Sequence, residues 1–225
     1  MPLMIKSRSQ SGRTEIIIMK YKHIVFDVDG TLWDSTDSVA DSWNLAIREN
    51  SSLDLTIDGE ILQGLFGKTM TEIADALFPS LSEEERMNFI QICFDYENRY
   101  LETHPGRMYD GVVDTVKKLS ERYPLFIVSN CQCGYIEAML NASGLGPYIK
   151  DHLCFGETQT PKSQTILKLM ERNALKDVVY VGDTQGDADA CRDAGVPFIF
   201  AEYGFGEVPD AEVRIKALSE LLTIY

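Results

Sequence analysis

Long apolar runs are missing from this 225-residue sequence. The longest, such as Ile16–Met19 and Leu125–Val128, are far short of the roughly 20 residues a membrane-spanning helix needs. Positive charge is also scarce: Lys plus Arg is 21 against 35 Asp plus Glu, a net charge of -14. Nucleic acid and anionic membrane both need clustered cations, so neither is an expected partner. An anionic small substrate must then be held by local charge, through a lysine, backbone N–H groups or a metal ion. The five cysteines are too few and odd in number for a disulfide framework, which points to reduced thiols in a cytoplasm. His23, His104 and His152 show no metal-ligand spacing. Repeats and low-complexity segments are absent, and composition gives no hint of oligomeric state.

What is present suffices for a sizeable core, with 44% hydrophobic and 25% charged residues. Four short runs are uniformly apolar: Ile24–Phe26, Leu125–Val128, Val178–Val181 and Phe198–Phe200. Such runs suit strands buried on both faces of a parallel sheet. Between the later ones lie helix-like stretches over 111–122, 135–142, 163–172 and 187–194. The alternation predicts an α/β fold, a Rossmann-like parallel sheet with helices on both faces.

Residues 35–104 have a different texture, with helical periodicity (Val39, Trp43, Ala46, Ile47; Phe89, Ile90, Cys93, Phe94) and no strand-like run. Ser82 before three glutamates marks an N-capped helix start, with acids at the favoured end of the dipole. This stretch reads as an inserted α-helical cap, with His104-Pro105-Gly106 as its return hinge. The core then comprises 19–34 and 105–225. Residues 1–18 lack the apolar stretch and cleavage site of a secretory signal and read as an N-terminal extension outside the fold.

The chemistry gathers at predicted strand ends. Asp27-Val28-Asp29-Gly30-Thr31 follows the first strand, and Gly30 permits the turn that brings both carboxylates to its carboxyl end. One can attack while the other moves a proton. The second strand ends in Ser129-Asn130, a hydroxyl and an amide suited to phosphoryl oxygens. The third ends in Gly182-Asp183-Thr184-Gln185-Gly186-Asp187, and Lys162 follows Pro161 at a helix start. Carboxylates clustered with little positive charge suit a hard cation such as Mg²⁺.

These residues resemble the four motifs of the haloacid dehalogenase superfamily, in its capped branch similar to phosphoglycolate phosphatases. Asp27 to Leu32 matches the first motif, Ser129-Asn130 the second, Lys162 the third and Gly182 to Asp187 the fourth. The resemblance implies a phosphatase of small phosphorylated metabolites. It makes Asp27 the nucleophile that forms an aspartyl-phosphate and Asp29 the acid/base. Phosphate is bound by Gly30, Thr31, Ser129, Asn130 and Lys162. Mg²⁺ is held by Asp27, the Asp29 backbone carbonyl and Asp183, with Asp187 acting directly, through water or by orienting Lys162. The superfamily's dehalogenases lack an acid at the Asp29 position, since halide needs no protonation on leaving.

Two alternatives share these residues: a phosphomutase of the beta-phosphoglucomutase type, and a catalytically silent binding protein of the same fold. In the cap, Lys68, Phe66 and Trp43 are candidates for substrate selection. Gly64-Leu65-Phe66-Gly67-Lys68-Thr69 ends like a nucleotide-binding P-loop, but Leu62 stands where the first glycine belongs.

Overall fold

The computed structural model describes residues 21–224; the N-terminal extension expected over 1–18 lies outside the described residues. The chain enters through β1 (His23–Phe26), whose buried Ile24, Val25 and Phe26 make it the centre of the sheet. It then turns into the short β2 (Trp33–Asp34) and runs through α1 (Thr36–Asn50), α2 (Gly59–Gln63), α3 (Met70–Leu77) and α4 (Glu83–Leu101). It returns through β3 (Arg107–Met108), which pairs antiparallel with β2, so the four helices leave and re-enter at one place.

The remainder alternates: α5 (Val112–Ser120), β4 (Leu125–Ser129), α6 (Tyr135–Ser143), β5 (Ile149–Cys154), α7 (Phe155–Thr158), α8 (Lys162–Arg172), β6 (Val178–Gly182), α9 (Gln185–Ala194), β7 (Phe198–Ala201) and β8 (Arg214–Ile215). Six strands form one parallel sheet in the order β5-β4-β1-β6-β7-β8. All four apolar runs are strands of it. Side chains alternate between the faces, as the pleat requires. Val25, Phe126, Val128 and Tyr180 pack with Ile166 and Leu169 of α8 and Cys191 of α9. Ile24, Phe26, Ile127, Val179 and Val181 pack on the opposite side with Val116 of α5 and Met139 of α6. Helices thus cover both faces, as the uniform hydrophobicity of the strands demands.

The inserted helices build their own apolar contacts. Trp43 of α1 meets Phe94 of α4 edge-on at 5.9 Å, and Phe78 meets Phe89 at 5.0 Å. Ser82 caps α4 through a capping box with Glu85, as its sequence predicts. Among the described residues, no helix is long and apolar enough to cross a membrane.

Candidate active site

The sheet order explains the convergence. β1 lies between β4 and β6, so the residues after these three neighbouring strands meet at one carboxyl edge. Asp27 follows β1, Ser129 ends β4 and Asp183 follows β6. Lys162, the first residue of α8, reaches the same point.

All four are nearly sealed from solvent. Lys162 Nζ donates to Asp27 Oδ1 at 3.1 Å and to Asp187 Oδ1 at 2.5 Å. Burial works against the lysine's charge, but Asp187 and Asp27 outweigh it and raise its pKa. Burial, then the Asp187 charge, holds Asp27 well above the usual carboxylate range despite Lys162. Asp183 is pushed up to about 7 by burial and next by Asp187.

Asp27, Asp183 and Asp187 each bring one carboxylate oxygen within 4.8 Å of the others. Three buried carboxylates against one lysine leave uncompensated negative charge, and all the donors are hard oxygens. The set fits a divalent cation of the Mg²⁺ type. Asp187 also orients Lys162, and its other oxygen accepts from the Thr184 backbone N–H at 3.0 Å and hydroxyl at 2.7 Å.

Gly30 sits behind this group at φ +77°. A Cβ there would lie 2.0 Å from Asp183 Oδ2, so the turn needs a residue without a side chain. Thr31 is fully buried and donates its hydroxyl to Asp183 Oδ1 at 3.2 Å. Gly30 and Thr31 therefore both back Asp183. The loop after β7 closes the same side: the Phe205 N–H donates to Asp183 Oδ2 at 2.8 Å, and Tyr203 Oη donates to the Thr31 carbonyl at 2.8 Å.

Asp29 faces a different set of partners. Trp33 Nε1, the Ser35 hydroxyl and Tyr135 Oη all donate to its Oδ1, at 3.1, 3.0 and 2.5 Å. Burial raises its pKa to about 6, with these hydrogen bonds pulling the other way. The two aspartates of the first motif are thus held differently, one by a lysine and one by neutral donors.

Asp27, Asp29, Ser129, Asn130 and Lys162 line one cavity together with residues of the inserted helices. Lys68, Phe66 and Trp43 all reach it. Trp43 is buried and donates its Nε1 to Glu97, whereas Lys68 is exposed. Phe66 meets Phe205 edge-on at 6.1 Å. Asn130 donates one amide N–H to the Gly67 carbonyl at 2.9 Å, tying the core to the inserted segment.

Some members of the site lay outside the sequence expectations. Trp33, Ser35 and Tyr135 around Asp29 are brought together by folding across 100 residues, with no local pattern to announce them. Glu97 and Gln132 also line the cavity. Glu97 did have a signal: it falls on the apolar stripe of α4 with Ile90, Cys93 and Phe94, where an acid is out of place.

Comparison with known proteins agrees with this architecture. The chain is 28% identical over 193 residues to a phosphoglycolate phosphatase of Mesorhizobium japonicum, covering 81% of this chain and 83% of that protein. It is 26% identical to a phosphoglycolate phosphatase of Photobacterium profundum, covering 90% and 95%. A haloacid dehalogenase-like hydrolase structure from Bacteroides fragilis shares the fold with a TM-score of 0.77 at 21% identity, covering 90% of this chain and 100% of that one. The sequence model of the haloacid dehalogenase-like hydrolases matches residues 24–201, spanning the sheet from β1 to β7, the inserted helices and all four motifs; the chain belongs to that family.

Proposed function

We propose that this chain is a Mg²⁺-dependent phosphatase of small phosphomonoesters that works through an aspartyl-phosphate on Asp27. The observation that carries this reading is the pairing of two differently held carboxyl groups on one cavity. Asp27 is ion-paired to Lys162, and Asp29 is a carboxyl raised to about 6 by burial.

Asp27 attacks phosphorus as the P–O bond to the leaving alcohol breaks, and Asp29 gives its proton to the departing oxygen. Asp29 Oδ1 is occupied by three donors, so Oδ2 is the oxygen left for that transfer. Asp29 then takes a proton from water, whose oxygen attacks phosphorus; inorganic phosphate leaves and the Asp27 carboxylate is restored. Lys162 and the Ser129 hydroxyl offset and position the phosphoryl charge, with Asn130 beside them. Asp27, the Asp29 carbonyl and Asp183 would hold Mg²⁺, which supplies charge neutralisation for attack of one anion on another. Asp187 fixes Lys162 and can complete the metal set.

The helices from 35 to 104 serve as a cap over a core of 19–34 and 105–225, excluding water and choosing the leaving group. We place the protein in a reducing cytoplasm, a reading supported by five free cysteines. The test is hydrolysis of p-nitrophenyl phosphate with and without Mg²⁺. Wild type should require Mg²⁺, and folded Asp27→Asn should lose at least about a thousandfold in rate. A folded wild type inert with Mg²⁺ present would sink the reading.

A further inference from the structure

The reaction sequence above leaves one buried acid of the cavity without a task. Glu97 is 3% exposed, lies on α4 and lines the same cavity as Asp27 and Asp29. It is held rigidly. Oε2 accepts from Trp43 Nε1 at 2.6 Å and Oε1 accepts from Gln132 Nε2 at 2.9 Å. The Gln132 amide is fixed in turn by Asn98 Oδ1 at 3.1 Å. Two N–H donors occupy one acceptor position on each oxygen, and a carboxyl group has hydrogen-bonding capacity beyond that. The cavity's apolar lining is Phe66, Met70, Ile73 and Phe94; its polar lining includes Lys68, Asn130 and Tyr135, and Tyr135 and Asp29 are near enough to interact with Glu97 electrostatically. Both oxygens have a protein partner, and the capacity left over is open to a ligand in the cavity.

We propose that Glu97 is a specificity-determining residue that hydrogen-bonds a hydroxyl on the leaving alcohol, making small phosphomonoesters of hydroxylated alcohols the preferred substrates. The inference rests on the phosphatase reading. Its chemistry follows from the choice of partners. An ammonium group pairs with the carboxylate form of Glu97 alone, and a substrate carboxylate pairs with the acid form alone. A hydroxyl pairs with both, donating to the first and accepting from the second. Burial raises Glu97 to about 8, so both forms are accessible near neutrality. The cavity volume of ≈ 50 Å³ sets the size. Asp27, Ser129 and Lys162 line it as well, so the phosphoryl group shares this space and a short alcohol suits it best.

The test compares kcat/KM, with Mg²⁺, for glycerol 3-phosphate and its dideoxy analogue propyl phosphate, which lacks both hydroxyls. Phosphoglycolate and O-phosphoethanolamine serve as the carboxylate and ammonium arms. Wild type should favour glycerol 3-phosphate over propyl phosphate by roughly tenfold or more, expressed in KM. In Glu97→Met that ratio should collapse toward unity, and Glu97→Gln, which keeps part of the hydrogen-bonding capacity, should fall between. Equal use of the two esters by wild type overturns the proposal without relying on any variant. So does preference for phosphoglycolate or O-phosphoethanolamine, or a hydroxyl preference that survives in folded Glu97→Met. If p-nitrophenyl phosphate and every other ester are left intact by folded wild type, the phosphatase reading falls and this inference with it. Normal p-nitrophenyl phosphate turnover without a hydroxyl preference overturns this inference alone.

Discussion

At the scale of single residues, the site depends on small geometric permissions. Gly30 carries a positive φ and lies where a Cβ would collide with the Asp183 carboxylate. Gly30→Ala would place a side chain in the left-handed region, at about 1–2 kcal/mol, and push against a buried acid as well. Denaturant titration should show a stability loss of at least that size, with phosphatase activity nearly abolished. Tyr135 offers a gentler test. Its hydroxyl is one of three donors that favour the charged form of Asp29 against the effect of burial. In Tyr135→Phe the charged form loses support, so the Asp29 pKa rises. The first step needs Asp29 protonated, so the alkaline limb of kcat/KM should move to higher pH. A hydrogen bond of about 0.5–1.5 kcal/mol corresponds to a shift of roughly half a unit to one unit. A limb that stays in place, or moves down, would remove Asp29 from the acid role.

At the scale of elements, the sequence was legible where burial was complete. Strands β1, β4, β6 and β7 each carry at least three consecutive buried apolar residues, so their runs stood out. Strand β5 did not, because it is the sheet edge and reads Ile149-Lys150-Asp151-His152, polar where solvent reaches it. Its Asp151 is held by Arg172 at 2.6 Å and by Asn173 at 2.6 Å, contacts that only the packed α8 can supply. The two-residue strands β2, β3 and β8 are too short for any period to show. Motif residues at strand ends were likewise readable, since each follows its strand directly. Partners such as Tyr135 and Glu97 come from other elements, and their distance from Asp27 is set by packing alone. Local signals also predict local energies. Ser82 caps α4 reciprocally with Glu85, whose Oε2 accepts the Ser82 backbone N–H at 2.9 Å. Ser82→Ala should cost about 1 kcal/mol and lower Tm by roughly 2–4 °C in thermal unfolding. Its kcat/KM should be unchanged, because Ser82 is exposed and does not line the cavity.

For the whole molecule, the question is how an acidic chain tolerates so many buried acids. Glu97 sets the sign most clearly, because no lysine pairs with it. Its folded pKa is raised by burial to about 8, against 4.5 for an ordinary glutamate. The folded protein therefore keeps a proton that the unfolded chain releases. The stability associated with that proton is full below the unfolded pKa and is lost as pH rises through the folded one. Thermal unfolding in chelator should accordingly show Tm falling by several degrees between pH 6 and 8. Glu97→Gln, which has no proton to lose, should flatten that slope. Lys162 works outside this window, since its raised pKa leaves it charged throughout. The second part of the argument is the trio Asp27, Asp183 and Asp187, crowded within 4.8 Å. A cation bound there in the folded state alone stabilises by mass action, about 2.7 kcal/mol at a hundredfold excess over Kd. Protons compete for the same oxygens, so Mg²⁺ should raise Tm more at pH 8 than at pH 6, offsetting the loss that alkali causes in chelator. An Asp183→Asn chain should keep the Glu97-dependent slope yet lose most of the Mg²⁺ response. Were Mg²⁺ to raise Tm equally in both chains, the acidic trio would not be its binding site.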